Sequence, residues 1–194
     1  MKKKYKIISD KKLYSGWYDL FEIIFKHKKH DESWSSEINR EVLSGAQVSA
    51  VLPYDPKTKK IVLIDQFRVG VINTNQNPIL KEIVGGLIDK GEKPEQAAIR
   101  ECEEEINCKV KKLNKIFSYF PAPGYSYSKY HLFLAEVDSF IGNRITGCKN
   151  ENEDILAKCY SLKQVKKLLE DKKILNATTI IALQWFFLNF KKYY

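Results

Sequence analysis

The 194-residue chain is expected to fold as an α+β protein: a mixed sheet flanked by helices, preceded by a small antiparallel β-sheet region. Three observations carry this expectation. Short apolar strands separated by turn signals recur along most of the chain. Helix-forming stretches follow strands at 94–106, 162–171 and 177–190. Residues 6–46 read as strands and turns too few to bury a core alone, so they must pack on the rest of the chain or on a second subunit. The expected division is 1–46 for the N-terminal sheet region and 47–194 for the main domain.

Taken in order, 13–21 carries a Gly turn among aromatics, 21–25 is a strand, and the polar tip 28–36 is a hairpin loop. Strands at 48–53 and 61–69 flank a turn at 55–60, and a polar loop at 73–77 leads into a strand at 80–86. That strand ends in Gly85-Gly86, where missing side chains let backbone approach another group closely. Pro94 suits a first helical turn, and 95–106 contains good helix formers with no Gly or Pro. Asn107 tolerates left-handed backbone and can end that helix. Strands are expected at 116–120, 130–137 and 155–160, with a polar loop at 142–154. Ser161 and Asn176 are N-cap residues for the two last helices.

Composition narrows the function. With 44% hydrophobic and 29% charged residues the chain reads as globular. No apolar run approaches the roughly 18 residues that cross a bilayer. Met1-Lys-Lys-Lys-Tyr-Lys lacks the features of a signal peptide, and Cys102, Cys108, Cys148 and Cys159 form no C-x-x-C pair or disulfide framework; a cytoplasmic location is expected. The net charge of +9 comes from lysines spread along the whole chain. It suggests a solvated basic surface that steers anionic substrates, with neither nucleic acid nor membrane as partner. Arginine is confined to Arg40, Arg68, Arg100 and Arg144. Its planar fork suits bidentate phosphate binding or stacking. His27, His30 and His131 pair with no Ser or Cys in a nucleophile motif.

The chemistry concentrates in 86–105. On a helix Glu101 and Glu105 share a face, with Glu104 beside them. A Glu-rich helix alone is usually a solvated acidic face. Closely spaced carboxylates repel, and hard divalent cations reverse that sign. Gly86, then Glu92 six residues on, Arg100-Glu101 and Glu104-Glu105 together resemble the Nudix hydrolase signature. Asn107 stands where that pattern usually has Gly, and Cys102 and Cys108 replace bulkier aliphatic residues.

The resemblance implies an α/β/α sandwich and a divalent-metal pyrophosphatase. More narrowly, the chain resembles the bacterial ADP-ribose pyrophosphatase subfamily, through Tyr14-x-Gly-Trp17, Arg40-Glu41, Asp65-Gln-Phe-Arg68, Ala122-Pro123-Gly124, Glu151-Asn-Glu-Asp-Ile155 and Asn176-Ala177. It implies hydrolysis of ADP-ribose to AMP and ribose 5-phosphate with Mg2+, or alternatively Mn2+. Metal ligands would be Gly85 (carbonyl), Glu101, Glu105 and Glu153, with Glu104 assisting and Glu151 as general base. Arg100 and Glu92 would brace the loop and helix. Trp17 would stack on adenine from a partner subunit across an exchanged N-terminal sheet in a homodimer. Arg40 and Glu41 would contact the adenosine end and Arg68 the diphosphate, while Leu87, Ala122, Pro123 and Gly124 shape the pocket. Ser128 and Gly45 stand where the subfamily often has an acidic residue and an Arg, which leaves sugar selectivity open. The alternatives are a pyrophosphatase for another nucleoside diphosphate sugar (ADP-glucose, GDP-mannose), a non-catalytic ADP-ribose-sensing module, and RNA 5′-end hydrolysis.

Overall fold

A computed structural model describes residues 4–148 and 152–193, with side chains as far as residue 189. The chain divides into two compact units, one of residues 1–47 and 120–129, the other of residues 48–119 and 130–194.

The first unit holds an antiparallel sheet of β1 (Tyr5–Tyr14), β2 (Leu20–His27) and β3 (Ile38–Leu43), in that order. The segment 120–129 is tied to the end of β3: Leu43 N–H donates to the Tyr125 carbonyl at 2.8 Å, and Tyr127 N–H to that of Leu43 at 3.2 Å. Gly45 lies at φ +71°, and a Cβ on it would stand 2.2 Å from the Ser128 nitrogen. Any larger residue at 45 would need this backbone to move.

In the second unit the strand order is β10 (Asn143–Thr146), β11 (Ile155–Ser161), β5 (Lys60–Phe67), β4 (Gln47–Asp55), β9 (Lys129–Glu136), β8 (Lys112–Tyr119). β4 and β5 pair only beside their turn, at Tyr54–Ile61 and Asp55–Lys60. Farther on, β6 (Ile79–Glu82) pairs with β5 and β7 (Val84–Leu87) with β4. What reads as one strand at 80–86 thus changes partner at Ile83. The Ile83 N–H finds the Thr179 hydroxyl instead, at 3.0 Å. Leaving such a buried donor unmet would be costly.

Strand alternation sends side chains to two faces. Val51, Val62, Ile64, Val84, Phe133 and Ala157 meet Ala98, Cys102 and Ile106 of α1 (Pro94–Ile106). Ala50, Leu52, Tyr54, Ile61, Leu63 and Leu132 meet Val165 of α2 (Leu162–Glu170), and Ala182, Leu183 and Phe186 of α3 (Ala177–Tyr193). The result is the expected sandwich, with α1 on one face of the sheet and α2 and α3 on the other.

The helix ends follow the capping residues. Asn107 adopts φ 50°, ψ 46° and closes α1. The Ser161 hydroxyl accepts the Gln164 N–H at 3.3 Å, and the Asn176 side chain accepts the Thr179 N–H at 2.9 Å. A further element departs from expectation: the polar loop at 142–154 contains β10, which pairs with β11 from Asn143–Lys158 to Thr146–Ile155. No helix among the described residues is long and apolar enough to cross a membrane.

Candidate active site

The site is built where β7 runs into the loop before α1. Pro94 opens that helix, and Gln96 accepts the Lys93 N–H at 2.9 Å, satisfying one early donor. Its buried face carries Ala97, Ala98, Cys102 and Ile106, and the turn spacing brings Glu101 and Glu105 to the sheet edge of that face. Both carboxylates are nearly enclosed, at 8% and 2% exposure.

Gly85 and Gly86 make room for them. The Gly85 N–H donates to Glu105 Oε2 at 3.0 Å. A Cβ on Gly86 would lie 2.0 Å from Glu101 Oε1, so the carboxylate occupies the place of the missing side chain.

Arg100 organises the exposed rim. Its guanidinium donates to both Glu92 oxygens at 3.0 and 3.1 Å, to the Leu87 carbonyl at 2.9 Å, to Glu101 Oε1 at 2.7 Å and to Glu104 Oε2 at 2.9 Å. The bracing expected of Arg100 and Glu92 is thus present, joining the loop after β7 to the helix. Leu87 and Glu104 are exposed.

Burial pushes the Glu101 carboxyl up to about 7; Glu104 and Glu153 add to that and Arg100 opposes it. Burial drives Glu105 well above the ordinary carboxylate range, opposed by the Gly85 N–H and reinforced by Glu101 and Glu153. Burial and mutual repulsion favour the neutral forms of this pair, and a bound cation would favour the charged ones.

Glu153, expected among the ligands, is within electrostatic reach of both. Its Oε1 accepts from Gln66 Nε2 and its Oε2 from the Cys148 N–H, each at 3.2 Å. Glu151 lies outside the described residues. Among the described residues no three His, Cys, Asp or Glu side chains converge as a ready metal cage. Arg100 engages Glu101 and Glu104 instead. The donors still suit a hard divalent ion: enclosed carboxylate oxygens, a neighbouring backbone carbonyl, and the buried Gln66 Oε1, which lacks a hydrogen-bond partner.

Arg68 is bound by Glu82, with Nε–Oε1 3.0 Å and Nη2–Oε2 2.9 Å, and feels the charge of Glu105. Neither Gln66 nor Glu82 stands out in the sequence as a site residue. The available signal was a polar residue at an inward position: Gln66 continues the Val62, Ile64 alternation of β5.

The remaining candidates belong to the first unit. Trp17 is 84% exposed, so it serves no core there. Arg40 and Glu41 are exposed on β3, with Arg40 donating to the Asn39 carbonyl at 2.7 Å. Ala122 is half-buried and its carbonyl turns the chain by accepting the Tyr125 and Ser126 N–H groups; Pro123 and Gly124 are exposed. Ser128 Oγ accepts the Ala46 N–H at 3.0 Å and bonds Ser126 Oγ at 2.9 Å.

Residues 44–181 match the model of the NUDIX domain. The chain belongs to the NUDIX family, whose hydrolases act on pyrophosphate bonds and in general depend on a divalent metal. Within it, the chain is 38% identical over 187 residues to the ADP-ribose pyrophosphatase of Haemophilus influenzae, covering 95% of this chain and 86% of the relative. It is 30% identical over 181 residues to a GDP-mannose pyrophosphatase of Escherichia coli, covering 92% and 93%. A solved structure described as an ADP compounds hydrolase shares the fold, with a TM-score of 0.71 at 20% identity and 95% of each chain covered.

Proposed function

We propose that this chain hydrolyses the diphosphate linkage of ADP-ribose to AMP and ribose 5-phosphate, with Mg2+ as cofactor. The observation that carries the reading is the enclosed pair Glu101 and Glu105, one helical turn apart against Gly85-Gly86 and both held towards protonation by burial. The name of the 38% identical relative selects the substrate.

Glu101, Glu105 and the Gly85 carbonyl would hold the cation, completed by Glu153, with Glu104 assisting from the rim. The bound ion supplies charge neutralisation on the diphosphate and a more acidic water. Glu151 is assigned as the general base that takes the proton of the attacking water, in line with the resemblance. Arg68 is assigned to the diphosphate: Glu82 fixes its fork, and its charge opposes the phosphate oxygens. Arg40 and Glu41 are assigned to the adenosine end and Trp17 to adenine, the latter from the partner in a homodimer. Leu87, Ala122, Pro123, Gly124 and Ser128 are assigned to the pocket. The protein would work in the cytoplasm.

A second reading, hydrolysis of another nucleoside diphosphate sugar, is favoured by the 30% identical GDP-mannose pyrophosphatase. The test is incubation of purified protein with ADP-ribose, ADP-glucose and GDP-mannose, with products quantified in Mg2+ and in EDTA. AMP and ribose 5-phosphate formed chiefly from ADP-ribose, and lost in EDTA, are expected. Preferential cleavage of GDP-mannose would replace the substrate, and binding without turnover would replace the enzyme by a sensor.

A further inference from the structure

The C-terminus of α1 leaves carbonyls that its own sequence does not satisfy. Asn107 N–H bonds back to the Glu103 carbonyl and Cys108 N–H to that of Cys102. The carbonyls of Glu105, Ile106 and Asn107 face onward, and the last turn holds no basic residue. All three are met from β10. The Thr146 hydroxyl donates to the Glu105 carbonyl, and Arg144 Nη1 donates to those of Ile106 and Asn107 at 3.1 and 2.9 Å. The guanidinium lies over the Phe140 ring, 3.9 Å from its centroid, so its plane is fixed as well as its charge.

The two residues after β10, Gly147 and Cys148, pack against Glu153. Gly147 lies at φ +106°, and a Cβ there would come within 2.9 Å of the Glu153 backbone oxygen and Cβ. The Cys148 carbonyl accepts the Glu153 N–H and the Cys148 N–H meets the Glu153 carboxylate, both at 3.2 Å. Contacts therefore run from the Glu105 backbone to Thr146 and, from its neighbours Gly147 and Cys148, to Glu153, while Arg144 fastens the same strand to Ile106 and Asn107.

We propose that Arg144 and Thr146 are positioning residues of the hydrolytic site: they fasten β10 to the C-terminus of α1 and so set the Glu153 carboxylate against that of Glu105. This rests on the metal-dependent reading of the site. Neither side chain meets substrate; each acts through the carboxylate it places. Groups that orient metal ligands from behind commonly govern affinity and turnover by factors of about 10–100.

The experiment uses the full chain as Thr146→Val, Thr146→Ser, Arg144→Lys and Arg144→Ala. For each, Mn2+ affinity is measured by electron paramagnetic resonance titration, together with kcat and KM for ADP-ribose and the melting temperature. Thr146→Val and Arg144→Ala are expected to weaken Mn2+ binding and lower kcat by about tenfold each, with KM little changed. Thr146→Ser restores both values, because the hydroxyl returns; Arg144→Lys does not, because the planar group stacked on Phe140 is gone. Folded variants with a lowered melting temperature but wild-type Mn2+ affinity and kcat would reduce the two residues to fold stabilisers and overturn the proposal. Wild-type protein that leaves ADP-ribose intact while Thr146→Val still loses Mn2+ affinity would overturn the substrate reading and support the positioning role.

Discussion

Gly86 and Glu101 share one space: the carboxylate of the helix residue lies where a side chain on the strand residue would begin, 2.0 Å from that Cβ position to Oε1. Gly86→Ala must therefore displace the carboxylate rather than the backbone, since a side-chain end moves more readily than a paired strand. Turnover is expected to fall on the order of 100-fold, as for a misplaced reacting group. The melting temperature should change little. Steady-state kinetics and calorimetry on the purified variant check both; unchanged kcat would place Glu101 outside the chemistry.

Glu105→Gln separates charge from shape. The amide oxygen can still accept the Gly85 N–H, while the group can no longer ionise to meet a cation. Metal-free protein should melt no lower than wild type, and turnover should fall by more than about 100-fold, beyond the effect of an outer partner. Retained activity would remove Glu105 from the metal site.

The raised Glu101 carboxyl gives stability a defined pH dependence. Its folded value of about 7 lies above its ordinary 4.5. The proton is then bound more tightly in the folded protein, so this contribution is complete below about pH 4.5 and is lost as pH rises through 7. In EDTA, the wild-type melting temperature relative to Glu101→Gln should fall across that window, and Mg2+ should restore it at the alkaline end. Asp55, held low by Ser139, Thr58 and Lys57 despite its burial, acts only at more acidic pH and does not blur the window. A flat difference between wild type and variant would show that Glu101 ionises normally.

Arg68 and Glu82 have separable roles. Arg68→Ala strands a carboxylate whose side chain is 5% exposed, at a cost on the order of 2 kcal/mol given that Arg68 itself is partly exposed. Arg68→Ala with Glu82→Leu removes that stranded charge and should recover most of the stability. If Arg68 grips the diphosphate, KM for ADP-ribose stays raised in both variants. Recovery of KM in the double variant would make the arginine a partner of Glu82 alone. Thermal melts and Michaelis curves on the two proteins decide it.

Local chemistry was legible in the chain itself. Pro94, Asn107, Ser161 and Asn176 mark helix ends because capping and left-handed backbone are decided within a few residues. The spacing of Glu101, Glu104 and Glu105 placed them together because helix geometry is local too. Non-local pairing was less readable. β10 is four residues long and is a strand only by virtue of β11. The change of partner at Ile83 depends on a hydroxyl 96 positions away. Gln66 and Glu82 look like ordinary polar strand residues until the sheet encloses them and supplies Glu153 and Arg68. The attachment of 120–129 to the N-terminal unit likewise depends on β3, far away in sequence.

Arg100 places a permanent positive charge among Glu92, Glu101 and Glu104 before any ion arrives. The acidic helix thus carries its own internal counter-ion, and the fold is expected to assemble without a supply of metal. The chain is accordingly expected to keep its circular-dichroism spectrum in EDTA and to take up Mg2+ again on its return. Ion occupancy would then act as a reversible setting of activity rather than as a condition for the chain's survival.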